Sequence, residues 1–343
     1  MNNADRYSRQ ILFERIGAAG QERLARSRVV IIGIGALGAL STELCARAGM
    51  GSLVLVDRDF VEESNLQRQV LFDEQDARSH LPKAVAAEKK IRAINSAIQI
   101  RGLVLDANSS NIEHLVRNAS LVLDGTDNFE TRFLINDACV KLKVPWIYGA
   151  AVASEGAVMT ILPGVTPCLR CVFEELPPAG TAPTCDTAGI LAPIVSLIAS
   201  LQVAETLKIL TGHEGDIHRG FRMFDIWTNV FRDVKLQKAR GENGCATCGE
   251  RRFDFLEKHE QSRTVRLCGR NAVELLPARS LQIPLAELRA RLMATGEAEG
   301  NDYLVRCVIK GLTLTVFADG RAIIQGTQDA AVAKSLFAKW VGT

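Results

Sequence analysis

No run of the chain approaches the roughly 20 consecutive apolar residues that span a bilayer. The N-terminal MNNADRYSRQ also has no apolar core of a signal peptide. Neither a membrane span nor secretion is expected, and the cytoplasm is the expected compartment. Charge of one sign is missing too: 41 basic against 39 acidic side chains leave a formal +2, too weak a field to favour nucleic acid or an anionic membrane. Any phosphate chemistry must use local arginines and lysines. There is no internal repeat and no low-complexity tract, which excludes solenoids and compositionally biased tails. What remains is ordinary for a packed protein, 47% apolar over 343 residues, enough for one large domain and a smaller one at about 100–200 residues each.

The organising stretch is Val29 to Gly38, VVIIGIGALG. Four β-branched residues fit a strand buried on both faces, and they run directly into Gly33, Gly35 and Gly38, a G-x-G-x-x-G turn that should open a helix. The first two glycines allow a tight turn and close approach of backbone to phosphate, the third lets the helix sit on the sheet, and the helix N-terminus offers N–H groups to the anion. Asp57 ends the next apolar strand, LVLVD, at the spacing of an acid that holds a ribose hydroxyl. Alone this pattern fits any nucleotide, and an NAD(P)-dependent oxidoreductase would carry it as well.

Alternating patterns extend from there. Helical periodicity over 83–95 and 111–117, and strands over 98–105 and 121–124, give the β-α-β-α-β order of a doubly wound, mostly parallel sheet. The charged arm over 6–27 precedes it as helix. Residues 58–82 are polar and aperiodic, long for a structureless connection and therefore a candidate functional loop. A helix over 131–142, strands over 145–148 and 157–162, a Pro/Gly/Cys-rich crossover loop over 163–189, an apolar helix over 192–211 and a strand pair over 221–234 complete the unit. Gln202, Glu205 and Lys208 interrupt the apolar helix, which reads as core or interface rather than membrane span. We expect a Rossmann-like domain over 1–250, a charged linker over 251–264, and a small α+β module over 265–343 with strands, two helices and a hairpin turn at Asp319-Gly320.

Nine cysteines in a cytosolic chain point to metal or redox chemistry rather than a disulfide framework. Cys168 and Cys171 form CLRC, Cys245 and Cys248 form CATC, and each two-residue gap lets two thiolates grip one tetrahedral Zn²⁺. Such a site would be structural, stapling the crossover loop. Cys268 and Cys307, in apolar strand contexts, read as core.

The long loop carries SNLQRQ, Ser64 to Gln69, and then LPK ending at Lys83. Arg68 and Lys83 fall just past strand ends beside the glycine turn, where phosphates bind. A hydride-transfer enzyme has no use for several cations at a polyphosphate; an enzyme breaking a phosphoanhydride does. LDGTDN ends another strand, and Asp127 there is the candidate ligand for Mg²⁺, with capping of the following helix as its alternative role.

RYSRQ, GIGALG, SNLQRQ, LPK, TDN and the paired knuckles, in this order over about residues 5 to 250, resemble the ThiF/MoeB/HesA family, bacterial relatives of ubiquitin-activating enzymes. The resemblance implies a homodimeric, ATP-dependent adenylyltransferase that activates the C-terminal glycine of a small ubiquitin-like sulfur carrier ending in Gly-Gly. It implies that Gly33, Gly35 and Gly38 lie against ATP, that Asp57 holds the ribose, that Asn65, Arg68 and Lys83 contact phosphates, and that Asp127 with Asn128 serves Mg²⁺ and nucleotide. It implies too that Arg9 reaches the neighbouring subunit's triphosphate, and that Cys185 occupies the place of a loop cysteine in the relatives. A sulfurtransferase or cysteine desulfurase would be the sulfur donor. Adenylation of another carboxylate, on a peptide or a tRNA, a nicotinamide-dependent oxidoreductase, and a non-catalytic scaffold that keeps the fold are the alternatives. The carrier, and with it the pathway (molybdopterin, thiamine, thiolated tRNA or a sulfur amino acid), stays open, as does the role of the C-terminal module.

Overall fold

The computed structural model describes residues 3–178, 183–236, 244–257, 263–267, 271–277, 281–294 and 297–342. The chain divides into two units, Met1–Arg78 with Pro82–Lys258, and Ser79–Leu81 with His259–Thr343. Cys268 lies outside the described residues.

Three short helices open the first unit: α1 (Asn3–Arg6), α2 (Ser8–Ile11) and α3 (Gly17–Arg26). The β-branched run forms β1 (Arg28–Ile32), whose last four residues are buried, and α4 (Ala36–Ala48) starts after a gap of three residues. The glycine turn and the helix overlap, so Gly38 sits inside the first turn of α4. It ends where Gly49 takes φ +81, a left-handed cap that costs glycine little. There follow β2 (Ser52–Asp57), α5 (Glu74–Arg78), α6 (Lys83–Ile94), β3 (Gln99–Val104), α7 (Ile112–Val116), β4 (Leu121–Asp124), α8 (Phe129–Leu142), β5 (Trp146–Val152) and β6 (Glu155–Ile161). The short α9 (Cys185–Ala188), the long α10 (Ala192–Leu210), β7 (Phe221–Asp225) and β8 (Val230–Val234) close the sheet.

Strand order is β3-β2-β1-β4-β5-β6-β7-β8. The first five strands are parallel, and β5 to β8 are antiparallel. The chain winds outward from β1 through β2 to β3, then crosses to β4 on the other side of β1. The crevice at the carboxyl ends of β1 and β4 is thus the topological switch point where α/β sheets bind ligands. Trp146 and Phe133 are the largest fully buried side chains of the core beneath it.

By length and composition α10 could cross a membrane, but half of it is buried inside this unit. It packs on α4, β5 and β6, and two of its interrupting polar residues, Gln202 and Glu205, are at work in the interior. Gln202 Nε2 donates to the carbonyls of Asp124 (2.8 Å) and Ile147 (3.2 Å), and Glu205 accepts from Thr160 Oγ1 and the His218 N–H.

The linker expected over 251–264 needs correcting in its first half. Phe253 and Phe255 are buried in the core of the first unit, and the Phe255 N–H donates to Asp137 Oδ2 at 3.0 Å. Two alternating phenylalanines inside RRFDFLE enter the core while Arg251, Arg252 and Glu257 stay exposed.

Among its described residues the second unit has a six-stranded antiparallel sheet ordered β11-β12-β13-β14-β10-β9. Its strands are β9 (Arg263–Leu267), β10 (Ala272–Leu276), β11 (Ala298–Gly300), β12 (Leu304–Ile309), β13 (Leu312–Phe317) and β14 (Ala322–Gln325), with α11 (Leu285–Met293) and α12 (Ala330–Trp340). The two helices contribute Leu288, Leu292 and Ala333 to a core with Val305, Cys307, Leu314, Val316 and Ile324. The β10 and β11 strands were not evident from the sequence pattern.

Candidate active site

Backbone meets backbone at the switch point. Gly33 follows β1 with φ +85, and a Cβ there would stand 2.7 Å from the Gly125 carbonyl. On Gly38 a Cβ would stand 1.8 Å from Gly33 O, and on Gly125 2.2 Å from the same oxygen. Three glycines therefore let the end of β1, the end of β4 and the first turn of α4 touch, which no side chain at any of them permits. The Gly33 N–H donates to Val56 O and the Gly125 N–H to Ile32 O, both at 2.8 Å. Gly125 stands in the open within LDGTDN, yet its packing role was not legible there.

Gly35 behaves differently. It caps α4, and among the described residues beyond its chain neighbours a Cβ on it would find only Gln69 Nε2, 3.9 Å away. Space is open above the helix N-terminus, where unpaired N–H groups and the macrodipole favour an anion.

Asp57 borders this space. Its Oδ2 accepts the Ile34 N–H at 2.6 Å and its Oδ1 the Asp59 N–H at 2.7 Å, so the acid also braces the glycine turn. Burial raises its pKa, opposed by the Lys83 charge. Lys83 is the first residue of α6, 5% exposed, with Nζ 3.3 Å from Asp59 Oδ2. Asp59, the partner that keeps this buried cation paired, was missed in the sequence, where it looks like any acid two residues past a strand.

The SNLQRQ segment forms a 3-10 turn over Glu63–Asn65. Asn65 is buried, its Oδ1 accepting the Glu62 N–H at 3.2 Å as half of a reciprocal cap. Arg68 is half-exposed and its Nη1 donates to Ser64 O at 2.9 Å.

At the end of β4 the two acids separate. Asp124 is buried, 3.2 Å from Arg132 Nε, and accepts the Thr126 N–H and hydroxyl. Burial raises its pKa, opposed by Arg132. Arg132 also donates to Thr126 O at 2.7 Å and Gly149 O at 3.1 Å, fixing the turn that carries Asp127. Asp127 itself is exposed. The helix cap considered for it belongs to its neighbour: Asn128 Oδ1 accepts the Thr131 N–H at 2.8 Å, which leaves the Asp127 carboxylate for other work.

Arg9 and Cys185 are held by other elements. In RYSRQ, Gln10 Nε2 donates to Gln21 Oε1 and Ala48 O, Tyr7 Oη accepts from Asn95 Nδ2 at 2.8 Å, and Arg6 donates to Ile94 O. These residues pin the arm, and Arg9 is exposed on it. Cys185 begins α9, half-buried, with Sγ 3.8 Å from Ala151 O.

The two knuckles converge. The four Sγ atoms of Cys168, Cys171, Cys245 and Cys248 lie within 4.8 Å of one another, with separations of 3.9, 3.7 and 3.4 Å for 168–171, 168–245 and 171–248. Thiolates at the Zn–S distance of about 2.3 Å on a tetrahedron are ~3.8 Å apart, so the cluster fits one Zn²⁺. Helix α8 holds both knuckles: Asn136 Oδ1 accepts the Leu169 N–H at 2.9 Å, and Asp137 Oδ1 accepts the Thr247 hydroxyl at 2.8 Å. Burial pushes Asp137 up to about 6.

Residues 7–248 match the sequence profile of the ThiF family. The chain belongs to the ThiF family. Among ThiF-family relatives, the sulfur carrier protein ThiS adenylyltransferase of Bacillus subtilis (strain 168) is 46% identical over 98% of this chain and 99% of its own. The SAMP-activating enzyme E1 of Haloferax volcanii is 38% identical over 74% of this chain and 92% of its own. Among solved structures, E. coli MccB with MccA-N7isoASN shares the fold at TM-score 0.63 and 23% identity, covering 73% of this chain and 75% of that one.

Proposed function

We propose that this ThiF-family member adenylates the C-terminal glycine of a ThiS-type ubiquitin-like sulfur carrier ending in Gly-Gly. One observation carries the choice of carrier: the likeness to the Bacillus ThiS adenylyltransferase runs over 98% of this chain, against 74% for the Haloferax enzyme. Only the former extends through most of the C-terminal module.

The chemistry follows from leaving groups. A carboxylate cannot lose oxide, so the carrier's terminal oxygen attacks the ATP α-phosphorus and pyrophosphate departs. No base is needed, because the attacking carboxylate is ionised at neutral pH. In this reading the turn over Gly33, Gly35 and Gly38 receives the phosphates, Asp57 orients the ribose, and Asn65, Arg68 and Lys83 meet the negative charge that grows on the departing pyrophosphate. Asp127 and Asn128 would face a Mg²⁺ ion, which when bound neutralises phosphate charge. A sulfur nucleophile then forms the C–S bond as the acyl C–O bond breaks and AMP leaves. That sulfur comes from a sulfurtransferase or cysteine desulfurase, or through Cys185. Zinc at the four cysteines is structural. Arg9 serves the active site of a second copy in a homodimer, and the enzyme works in the cytoplasm.

The test is ATP–pyrophosphate exchange with the purified chain, Mg²⁺ and a ThiS-type carrier. Exchange with the intact carrier and none with a carrier lacking its last glycine is the expected result. Exchange only with a molybdopterin-type carrier would overturn the carrier choice. Failure to bind Mg-ATP, or nicotinamide binding in its place, would overturn adenylation altogether.

A further inference from the structure

Gln69 closes the SNLQRQ segment, and nothing above gives it a task. It is 4% exposed, and its Oε1 has no hydrogen-bond partner among the described residues. A buried acceptor left unpaired is costly, and a methionine of the same length would fill the space without stranding one. The other end of the amide shows where the residue is aimed. Apart from the turn's own backbone, Gln69 Nε2 is the atom that a Cβ on Gly35 would meet, at 3.9 Å. Gly35 is the cap of α4, a 13-residue helix whose N-terminal N–H groups face the open space at the switch point.

The backbone holds the side chain there. The Gln69 N–H donates to Asn65 O at 2.9 Å and its carbonyl accepts the Phe72 N–H at 3.1 Å, so the residue sits in a closed turn. A neutral amide at a helix N-terminus adds a directed N–H donor to an anion cradle without changing its charge. Arg68 and Lys83 supply charge nearby in sequence, but neither is the side chain found at Gly35.

We propose that Gln69 is a substrate-positioning residue that completes the phosphate cradle of the glycine turn, its amide donating to a phosphate oxygen of the nucleotide at Gly35. This deepens the adenylation reading and rests on it. The residue aligns the phosphate chain over the helix N-terminus, while the cations stabilise charge on the departing pyrophosphate.

The test compares Gln69→Met and Gln69→Glu with the wild-type full-length chain, measuring binding of Mg-ATP, AMP and adenosine by calorimetry together with thermal unfolding of the nucleotide-free protein. A hydrogen bond to a charged oxygen predicts that Gln69→Met weakens ATP and AMP about tenfold or more, leaves adenosine unchanged, and leaves the melting temperature of the nucleotide-free protein unchanged or higher. Gln69→Glu should weaken ATP and AMP further, since it replaces the donor with a negative acceptor. Unchanged ATP affinity in Gln69→Met, or equal losses for ATP and adenosine with a lowered melting temperature, overturns the proposal in favour of a packing role. If the wild-type chain itself binds no Mg-ATP, the adenylation reading falls and this assignment with it. If wild type and Gln69→Met bind ATP alike, only the assignment falls.

Discussion

Gly38→Ala adds one methyl group where the structure has no room for it. The new Cβ would stand 1.8 Å from Gly33 O and 2.9 Å from Gly33 C, whereas a carbon and a carbonyl oxygen in contact settle at about 3.3–3.6 Å. Something must move by roughly 1.5 Å, and no flexible side-chain tip is available to do so. Gly33 cannot retreat, because on its other side it is pressed against Gly125. The first turn of α4 must lift instead. Overpacking a tight contact costs about 1–3 kcal/mol, and with backbone on both sides the upper end applies. For a unit of this size ~3 kcal/mol lowers the melting temperature by roughly 6–12 °C. Lifting the helix also carries its N–H groups off the position proposed for the phosphates, and a misplacement near 1 Å costs on the order of 100-fold in rate.

The assay is ATP–pyrophosphate exchange alongside thermal unfolding, with Gly35→Ala as the counterpart. At Gly35 a Cβ meets nothing closer than 3.9 Å, so that variant should unfold within ~1 kcal/mol of wild type, the scale of a helix-cap change. It should still lose exchange, because its methyl group would occupy the space proposed for the phosphates. A Gly38→Ala protein with wild-type melting and exchange would refute the close-packed glycine contact. A Gly35→Ala protein with full activity would refute the placement of phosphate at the helix cap.

Asp127→Ala should reduce exchange by at least 100-fold and leave melting unchanged, because the carboxylate is exposed and Asn128 carries the cap; retained exchange would remove Asp127 from the site. Elemental analysis of the purified chain should find about one zinc per chain, and a chelator that removes it should lower the unfolding midpoint; near-zero metal would overturn the four-thiolate assignment. Asp137 gives a pH signature. Its folded pKa of about 6 lies above the unfolded 3.8, so the folded state holds this proton more tightly, and the stability tied to it is lost as pH rises through that window. Asp137→Asn removes the titration, so the stability of the variant relative to wild type should fall by about 1 kcal/mol from pH 7 to pH 5. Both proteins carry the same four cysteines, so proton competition at the thiolates cancels in the difference; parallel urea-denaturation curves would show that Asp137 does not titrate there.

The parts legible in the sequence share one property: their cause is local. Four β-branched residues ahead of a glycine turn mark β1 and α4 within one short window of sequence. Two CxxC pairs declare a ligand set before any fold is known, and in the structure the four sulfurs meet at zinc spacing. What was illegible depends on partners far along the chain. The sequence reading placed no strand over 272–276, yet in β10 Glu274 is buried with Arg321 Nη1 at 3.6 Å, a partner 47 positions later in sequence that no local window contains. RRFDFLE reads as linker until Asp137, over a hundred residues upstream, is seen receiving the Phe255 N–H. The same holds inside the site. Gly33 and Gly38 announce themselves as a motif, whereas Gly125 matters only because β4 returns beside β1 and presses it onto Gly33. A glycine contact of this kind is thus written in two halves: the half on β1 and α4 can be read directly, and the half on β4 takes its meaning from the crossover that brings it back.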